Sequence, residues 1–363
     1  MRWKQDSNDA IGGGSALAFR RWLRARWWAV GAVLSVLALT GCGSTKLELG
    51  NAPESILNPA GPVAKLQLSL IELSFWITAG IFVVVAGVLV FVMIRYRERR
   101  HQREQLPAQV EGNTFLELLW TIVPVLLLAV LGVVTVSGSF ALANLAPAKK
   151  AVVVEITGHQ YWWAFTYPQL GITTANDLHI PVGKKIDLEL TSADVMHAFW
   201  VPRLAGKTDA VPGRTNYMWF EASKPGIYTG QCAEFCGTGH ADMRIIVDAQ
   251  SPAAYAQWVS EMKHPHSVPT SGLAKQGYLD FQSAGCSACH TITGTSYEGV
   301  IGPNLTNLNL RPMIAGNILK NTPEDLALWL HDPPAVKPGA LMPDLHLSNT
   351  QIHALVAYLD SLR

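Results

Sequence analysis

Two long apolar runs dominate the first part of the chain. Leu68 to Ile94 carries no charge apart from Glu72, and Phe115 to Leu145 carries none apart from Glu117. Each exceeds the roughly 20 residues that a helix needs to cross a bilayer. Between them lie Arg95, Arg97, Arg99, Arg100 and Arg103, and a basic connection of this kind belongs on the cytoplasmic side. The pattern predicts a transmembrane helical hairpin over residues 67–146, with both ends outside. Pro124 falls inside the second span and removes one backbone donor there, which a neighbouring helix or side chain must offset.

A third run, Trp27 to Leu39, is too short to span. It follows Arg20, Arg21, Arg24 and Arg26 and ends in Leu39-Thr-Gly-Cys42. A basic segment, a short apolar segment and small residues before a cut read as a secretory signal. The Leu-x-Gly-Cys ending resembles a bacterial lipoprotein signal, which implies cleavage before Cys42 and acylation of its thiol. Residues 1–41 are therefore set aside, and 42–66 read as an external segment.

From Val152 the pattern changes to short β-branched and aromatic runs: Val152–Ile156, Ile186–Leu190, Tyr217–Phe220 and Arg244–Val247. Turn signals at Pro181-Val-Gly183, Pro212-Gly213 and Pro225-Gly226 separate them. This pattern predicts an all-β sandwich over 148–263, closed by a short helix within 249–263. Residues 264–272 contain Pro, Ser and Gly without apolar periodicity and read as a linker. The last segment, 273–363, is helical in character. Thr322-Pro-Glu-Asp325 supplies a helix cap, and a final helix begins at Ser348 with Ile352, Leu355, Val356, Leu359 and Leu362 on one face.

At 363 residues the chain has room for two or three domains. A net charge of +1 argues against nucleic acid as a partner. The five cysteines are Cys42, Cys232, Cys236, Cys286 and Cys289, and each has a use other than a disulfide.

The chemistry concentrates in Cys232-Ala-Glu-Phe-Cys-Gly-Thr-Gly-His-Ala-Asp-Met243. Two thiols, an imidazole and a thioether fall within this stretch, and His197 lies upstream in Asp194-Val-Met-His-Ala-Phe-Trp-Val-Pro202. Thiolate with imidazole suits copper, but a single blue-copper site takes one Cys, two His and a weak Met. The second Cys makes sense if two copper ions share two bridging thiolates. The alternative is a disulfide, which gives no reason for His240 or Met243. Further on, Cys286-Ser-Ala-Cys-His290 has the attachment pattern of a c-type haem: two thiols for the vinyl groups and an adjacent imidazole for the iron. A thioredoxin-like pair would not need His290. A thioether as the second axial ligand raises a haem's potential. Met342 is the first candidate and Met313 the second, while His331, His346 and His353 read as surface residues.

The copper cluster, His197 in its D-x-x-H-x-F-W-V-P setting and Lys207-Thr-Asp-Ala-Val-Pro-Gly-Arg214 together resemble cytochrome c oxidase subunit II. With the haem motif, the chain resembles the bacterial caa-type, in which a cytochrome c domain is fused at the carboxy terminus. The resemblance implies a cupredoxin-like fold for the sandwich and a class I cytochrome c fold for the last domain. It implies a dinuclear copper A centre bridged by Cys232 and Cys236. His197 and His240 would bind one copper each, Met243 would be a weak ligand, and Glu234 would give its backbone carbonyl. The Glu234 side chain would reach a magnesium ion at the border with subunit I. Glu117, in Glu117-Leu-Leu-Trp-Thr-Ile-Val-Pro124, lies where the family feeds a proton pathway of subunit I. An interfacial carboxylate is the plain alternative. Gly158-His-Gln-Tyr-Trp-Trp-Ala-Phe165 resembles the family's aromatic segment, with Tyr161 where the family has a tryptophan for electron input. Tyr161 and Trp162 are candidate relays, against simple core packing.

The implied protein is the electron-input subunit of a proton-pumping terminal oxidase. Electrons would pass from haem c to the copper pair and on to haem a of subunit I, which holds the oxygen-reducing site. Expected partners are subunits I and III, with cytochrome c or an upstream quinol-oxidising complex as donor. The expected location is the bacterial cytoplasmic membrane, with the copper and haem domains on the outer side. Two rivals are a copper-delivery lipoprotein, which needs neither a covalent haem nor Glu117, and a subunit of a nitric oxide reductase using the same copper centre. A short tether makes haem–copper encounter intramolecular, so a sparse contact between the two domains is predicted to suffice.

Overall fold

The computed structural model describes residues 52–97, 111–143, 145, 151–264 and 268–362. The expected signal segment 1–41, Cys42, Arg99, Arg100, Arg103 and residues 265–267 of the expected linker lie outside the described residues.

Helix α1 runs Pro62–Arg95 and α2 runs Thr114–Ala143. Gly61 caps α1 in extended backbone with Pro62 following, a position where proline's fixed φ and missing N–H cost nothing. The helix thus starts before the apolar run, and the reason is packing: Val63 and Ala64 are buried in its first turn. Ala64 N also donates to the Leu204 carbonyl. Beyond that turn both helices leave large apolar side chains uncovered, among them Phe75, Trp76, Phe82, Phe115 and Phe140. Helices this long with apolar residues on all sides suit a bilayer.

Ten strands follow: β1 Val152–His159, β2 Trp162–Tyr167, β3 Ile172–Ala175, β4 Asp177–Pro181, β5 Ile186–Ser192, β6 His197–Trp200, β7 Thr208–Ala210, β8 Asn216–Phe220, β9 Gly226–Cys232 and β10 Arg244–Gln250. They form two five-stranded sheets, ordered β3-β2-β1-β5-β8 and β4-β10-β9-β6-β7. The aromatic segment is a strand: Trp163, Phe165 and Tyr167 alternate into the core, with Trp162, Ala164 and Thr166 half-buried on the other face. Phe199 of the other sheet meets Trp163 and Phe165 edge-on at 5.6 and 6.2 Å, a geometry worth about 0.5–1.5 kcal/mol per pair beyond area burial. β4 gave no strand signal, because Asp177 and Pro181 at its ends are of types depleted in strands. It forms nonetheless as an edge strand, where Pro181 is tolerated. Helix α3, Pro252–Met262, is capped by the Ser251 hydroxyl, which accepts from Ala254 N.

The last domain contains α4 Gly272–Ser283, α5 Pro323–His331, the short α6 Pro333–Val336 and α7 Asn349–Asp360. The Thr322 hydroxyl accepts from Asp325 N at 3.2 Å, as its sequence context predicts. Ser348 and Gln351 close a reciprocal capping box on α7. Ile352, Leu355, Leu359 and Leu362 are buried. Gly277 lets α4 cross α7 closely, since a Cβ there would strike the Ala354 carbonyl.

Candidate metal and haem centres

The end of β9 delivers Cys232, a loop carries Glu234 and Cys236, a single 3-10 turn holds His240, and Met243 precedes β10. His197 opens β6, whose Phe199 is paired with Cys232. These elements bring all five soft donors together. Cys232 Sγ lies 3.9 Å from Cys236 Sγ and 3.8 Å from His197 Nδ1. Cys236 Sγ lies 3.5 Å from His240 Nδ1 and 4.0 Å from Met243 Sδ. The Glu234 carbonyl is 3.3 Å from Cys232 Sγ. Both thiols are free, and with His197 they form a group whose donor atoms lie within 4.8 Å of one another. Donors bound to one ion at about 2.0–2.3 Å, the range for zinc with nitrogen and sulfur, stand roughly that far apart. The set therefore fits copper ions, and the two-thiol count fits a pair of them.

A carboxylate orients the first imidazole. Asp194 Oδ1 is 2.8 Å from His197 Nε2, which leaves Nδ1 turned to Cys232. Asp194 Oδ2 in turn accepts from Gln160 N at 2.7 Å, and Gln160 Nε2 donates to the Cys236 carbonyl at 2.6 Å. Such outer partners fix tautomer and ring orientation at metal sites. The i, i+3 spacing of Asp194 and His197 was the signal for this contact. The His197 ring is fully buried against Gly158, where a Cβ would come within 2.7 Å of Cδ2. Burial alone would lower the His197 pKa, but hydrogen bonds to Cys232 and Asp194 raise it overall. The Cys236 thiol, hydrogen-bonded to Cys232, holds the Cys232 pKa well below the usual thiol value and has its own raised by the same contact, so the pair shares one proton in the absence of a metal. The Glu234 carboxylate is partly exposed and 3.9 Å from Lys207 Nζ.

The haem motif borders a cavity of about 480 Å³. Cys286 and Cys289 flank a 3-10 turn entered through left-handed Gly285, φ 83°. His290 Nδ1 lies 2.8 Å from the Pro303 carbonyl, so its N–H donates there and Nε2 is left for a metal. Burial holds the His290 pKa below its usual value, which favours the neutral ligand form. Gly302 lies flat on the ring, since a Cβ would sit 2.6 Å from Cε1. Met342 and Met313 both line the cavity. His331, His346 and His353 are exposed. Hollow, thiols and oriented imidazole together fit a covalent haem.

The β domain supplies part of the same wall: His159, Tyr161, Trp162 and Asp194 line the cavity too. Tyr161 is buried, with its ring against Gly239 and Gly339 and its hydroxyl beside Gly237. Trp162 is half-buried and stacks on His159 at 4.2 Å. A sparse contact would suffice for a tethered domain, and the two domains also meet through buried polar side chains. Lys337, Asn317 and Arg311 are all buried; Lys337 and Asn317 bond to β-domain carbonyls, and Arg311 lies within the electrostatic reach of Asp177. Polar groups this deep need partners; Lys337 and Asn317 find carbonyls in the β domain, while Arg311 donates to the Asn304 carbonyl of its own domain. Glu117 sits in the first turn of α2, exposed, with Thr121 Oγ1 donating to its carbonyl at 2.8 Å.

A sandwich bearing two free thiols beside two imidazoles and a thioether, on a membrane hairpin and joined to a haem-binding domain, defines a membrane-bound electron-transfer protein. Three family models match: "Cytochrome C oxidase subunit II, transmembrane domain" over 55–137, "Cytochrome C oxidase subunit II, periplasmic domain" over 169–250 and "Cytochrome c" over 274–363. Cytochrome c oxidase subunit 2 of Alkalihalophilus pseudofirmus is 40% identical over 90% of this chain and 94% of its own length. That of Bacillus subtilis is 34% identical over 90% and 95%. Quinol oxidase subunit 2 of Bacillus cereus is 35% identical over 66% of this chain and 82% of its own. The crystal structure of the periplasmic domain of subunit II of cytochrome oxidase from Bradyrhizobium japonicum covers 33% of this chain and 97% of its own, with 34% identity and a TM-score of 0.32. The chain belongs to the cytochrome c oxidase subunit II family and carries a cytochrome c domain at its carboxy terminus. It is a subunit of a haem–copper terminal oxidase, associated with subunit I, and it serves electron input. It is membrane-anchored with its carboxy-terminal domains outside. The subunit II domain implies copper A, and the cytochrome c domain implies haem c.

Proposed function

We propose that this chain takes electrons from an external donor at its haem domain and hands them, through its copper loop, to haem a of subunit I. When bound, the haem and the copper pair each carry one electron at a time. Cys286 and Cys289 would hold the haem by thioethers, and His290 and Met342 would bind its iron. Met342 is preferred to Met313 because it packs against the haem-domain core from a loop with no sheet pairing, whereas Met313 is paired to Lys320 in a short two-stranded sheet. Cys232 and Cys236 would hold the copper pair between them, His197 and His240 would each bind one copper, and Met243 and the Glu234 carbonyl would complete the set. The Glu234 carboxylate reaches a magnesium ion shared with subunit I. Glu117 takes up protons from the inner side, in keeping with its place near that end of α2. Domain limits of 67–146, 148–263 and 273–363, subunit III as a neighbour, the bacterial cytoplasmic membrane and lipidation at Cys42 belong to the same reading. The donor is cytochrome c or a quinol-oxidising complex.

The observation that carries this reading is the shared wall: Tyr161 lines the haem cavity and packs against Gly237 and Gly239, between Cys236 and His240. The test is rapid mixing of the whole oxidase with less than one equivalent of donor. The haem band should reduce first and reoxidise as the copper band bleaches. In Glu117→Gln that transfer should keep its rate while turnover slows several-fold. Copper bleaching ahead of haem reduction would refute the path, and unchanged turnover would return Glu117 to an interfacial carboxylate.

A further inference from the structure

The seam between the β domain and the haem domain holds buried polar groups that are ligands of neither centre, although Lys337, Ala315 and Gly316 also line the haem cavity. Lys337 is 3% exposed. Its Nζ donates to the Tyr161 carbonyl at 2.7 Å and to the Ala315 carbonyl at 3.2 Å, one acceptor from each domain. Beside it, Ala315, Gly316 and Asn317 form a left-handed run with φ of 56, 80 and 66°. Only glycine adopts that conformation freely, so for Ala315 it persists because the surroundings hold it. The run points its polar groups across the seam. Asn317 Nδ2 donates to the Asn176 carbonyl at 2.8 Å, and Arg244 N donates to the Gly316 carbonyl at 3.3 Å. Arg244 directly follows Met243. At Gly316 a Cβ would strike Lys337 Nζ and come within 2.8 Å of the Asp242 carbonyl, so the close approach requires a glycine.

We propose that Lys337 and the turn Ala315–Asn317 are a positioning latch that holds the haem domain on the copper loop in one register. The latch rests on the reading that the haem is the copper pair's donor. Its two ends are telling. Lys337 lies five residues before Met342 on the haem side, and its carbonyl partner Tyr161 packs on the glycines beside Cys236 and His240. Removing the ammonium leaves two carbonyls buried without a donor, which separation of the domains would hydrate. Lys337→Met should therefore weaken docking without touching a ligand of either centre.

The test uses the whole oxidase, with Lys337→Met, Asn317→Ala and the double variant, each checked for covalent haem and for the copper band. Hydrogen exchange of the amides of 237–243 and 315–317 reports docking directly. The spin relaxation of the copper pair, which a nearby oxidised haem shortens, reports distance. Each single variant should speed exchange at both segments about tenfold, the scale of one lost charged or buried hydrogen bond, and the double variant by more. A slowly relaxing copper population should appear with them. Lys337→Gln, which keeps a neutral amide donor on a shorter side chain, should fall between wild type and Lys337→Met. Wild-type exchange and relaxation in a double variant with haem and copper intact would overturn the latch. Neither readout uses electron flow, so copper reduction that bypasses the haem would refute the transfer path while leaving the latch standing.

Discussion

The copper loop and the haem cavity are built on different plans. The copper donors touch one another: thiol, imidazole and thioether sit 3.5–4.0 Å apart, on a loop pinned at both ends by sheet strands. The haem site is a hollow, and its ligands face an open space of about 480 Å³ from segments far apart in the chain. A small ion needs only converging donors, and a β scaffold with one loop can supply them. A flat, large group needs walls, and this chain takes part of those walls from its other domain. The copper site should therefore tolerate loss of the haem better than the haem domain does, because nothing in its donor set comes from beyond residue 243.

The sharpest break in that comparison is chemical. Cys232→Ser or Cys236→Ser replaces a soft bridging thiolate with a hydroxyl that ionises poorly. The seven-line paramagnetic signal of a spin shared by two coppers should vanish while the haem stays attached. Normal copper content in both variants would remove the bridge assignment. Of smaller effect, Met342→Leu should leave the covalent haem but lower its potential and admit added ligands to the iron, read by titration with cyanide or carbon monoxide. If Met313→Leu does this instead, the axial assignment moves to Met313. The smallest effect sharpens the contrast between scaffolds. Thr322→Ala removes the α5 cap and should cost the haem domain about 1 kcal/mol, seen as an earlier denaturant midpoint in the haem band with the copper band unmoved. A common shift of both bands would mean that the two domains unfold as one unit.

Much of the copper centre could be read directly, because Cys232, Cys236, His240 and Met243 are adjacent in sequence and each is rare and chemically specific. The helix caps at Thr322 and Ser348 were equally plain, since a capping hydroxyl acts within three residues. Strands with aliphatic residues at alternate positions, such as β1 and β5, announced themselves. β4 did not, and neither did β6 or β7, whose pairing rather than composition makes them strands. The seam was invisible for a stronger reason. Lys337 and Tyr161 are 176 residues apart, and nothing about a lysine in a Pro- and Gly-flanked loop says that a carbonyl from another domain awaits it. A tether sets only how far the haem domain can wander. How tightly it docks depends on which polar groups tertiary structure buries together.

The attachment of the β domain to the membrane hairpin has a mechanical consequence. Ala60 N donates to the Arg203 carbonyl, Ser223 N donates to the Ala60 carbonyl, and the first turn of α1 is buried. At the other helix, Trp219 Nε1 donates to the Leu142 carbonyl at 2.9 Å. A body fastened at one point can swivel; fastened at two, it can only swing about the line joining them. Here the first fastening is itself spread over several bonds, which opposes the swing as well. Any tilt imposed on the two helices by a thicker or thinner bilayer is thus carried into the sandwich, like a mast stepped through the deck. The copper loop keeps its aim relative to the helices, and a haem domain could be grafted on behind it without disturbing that aim.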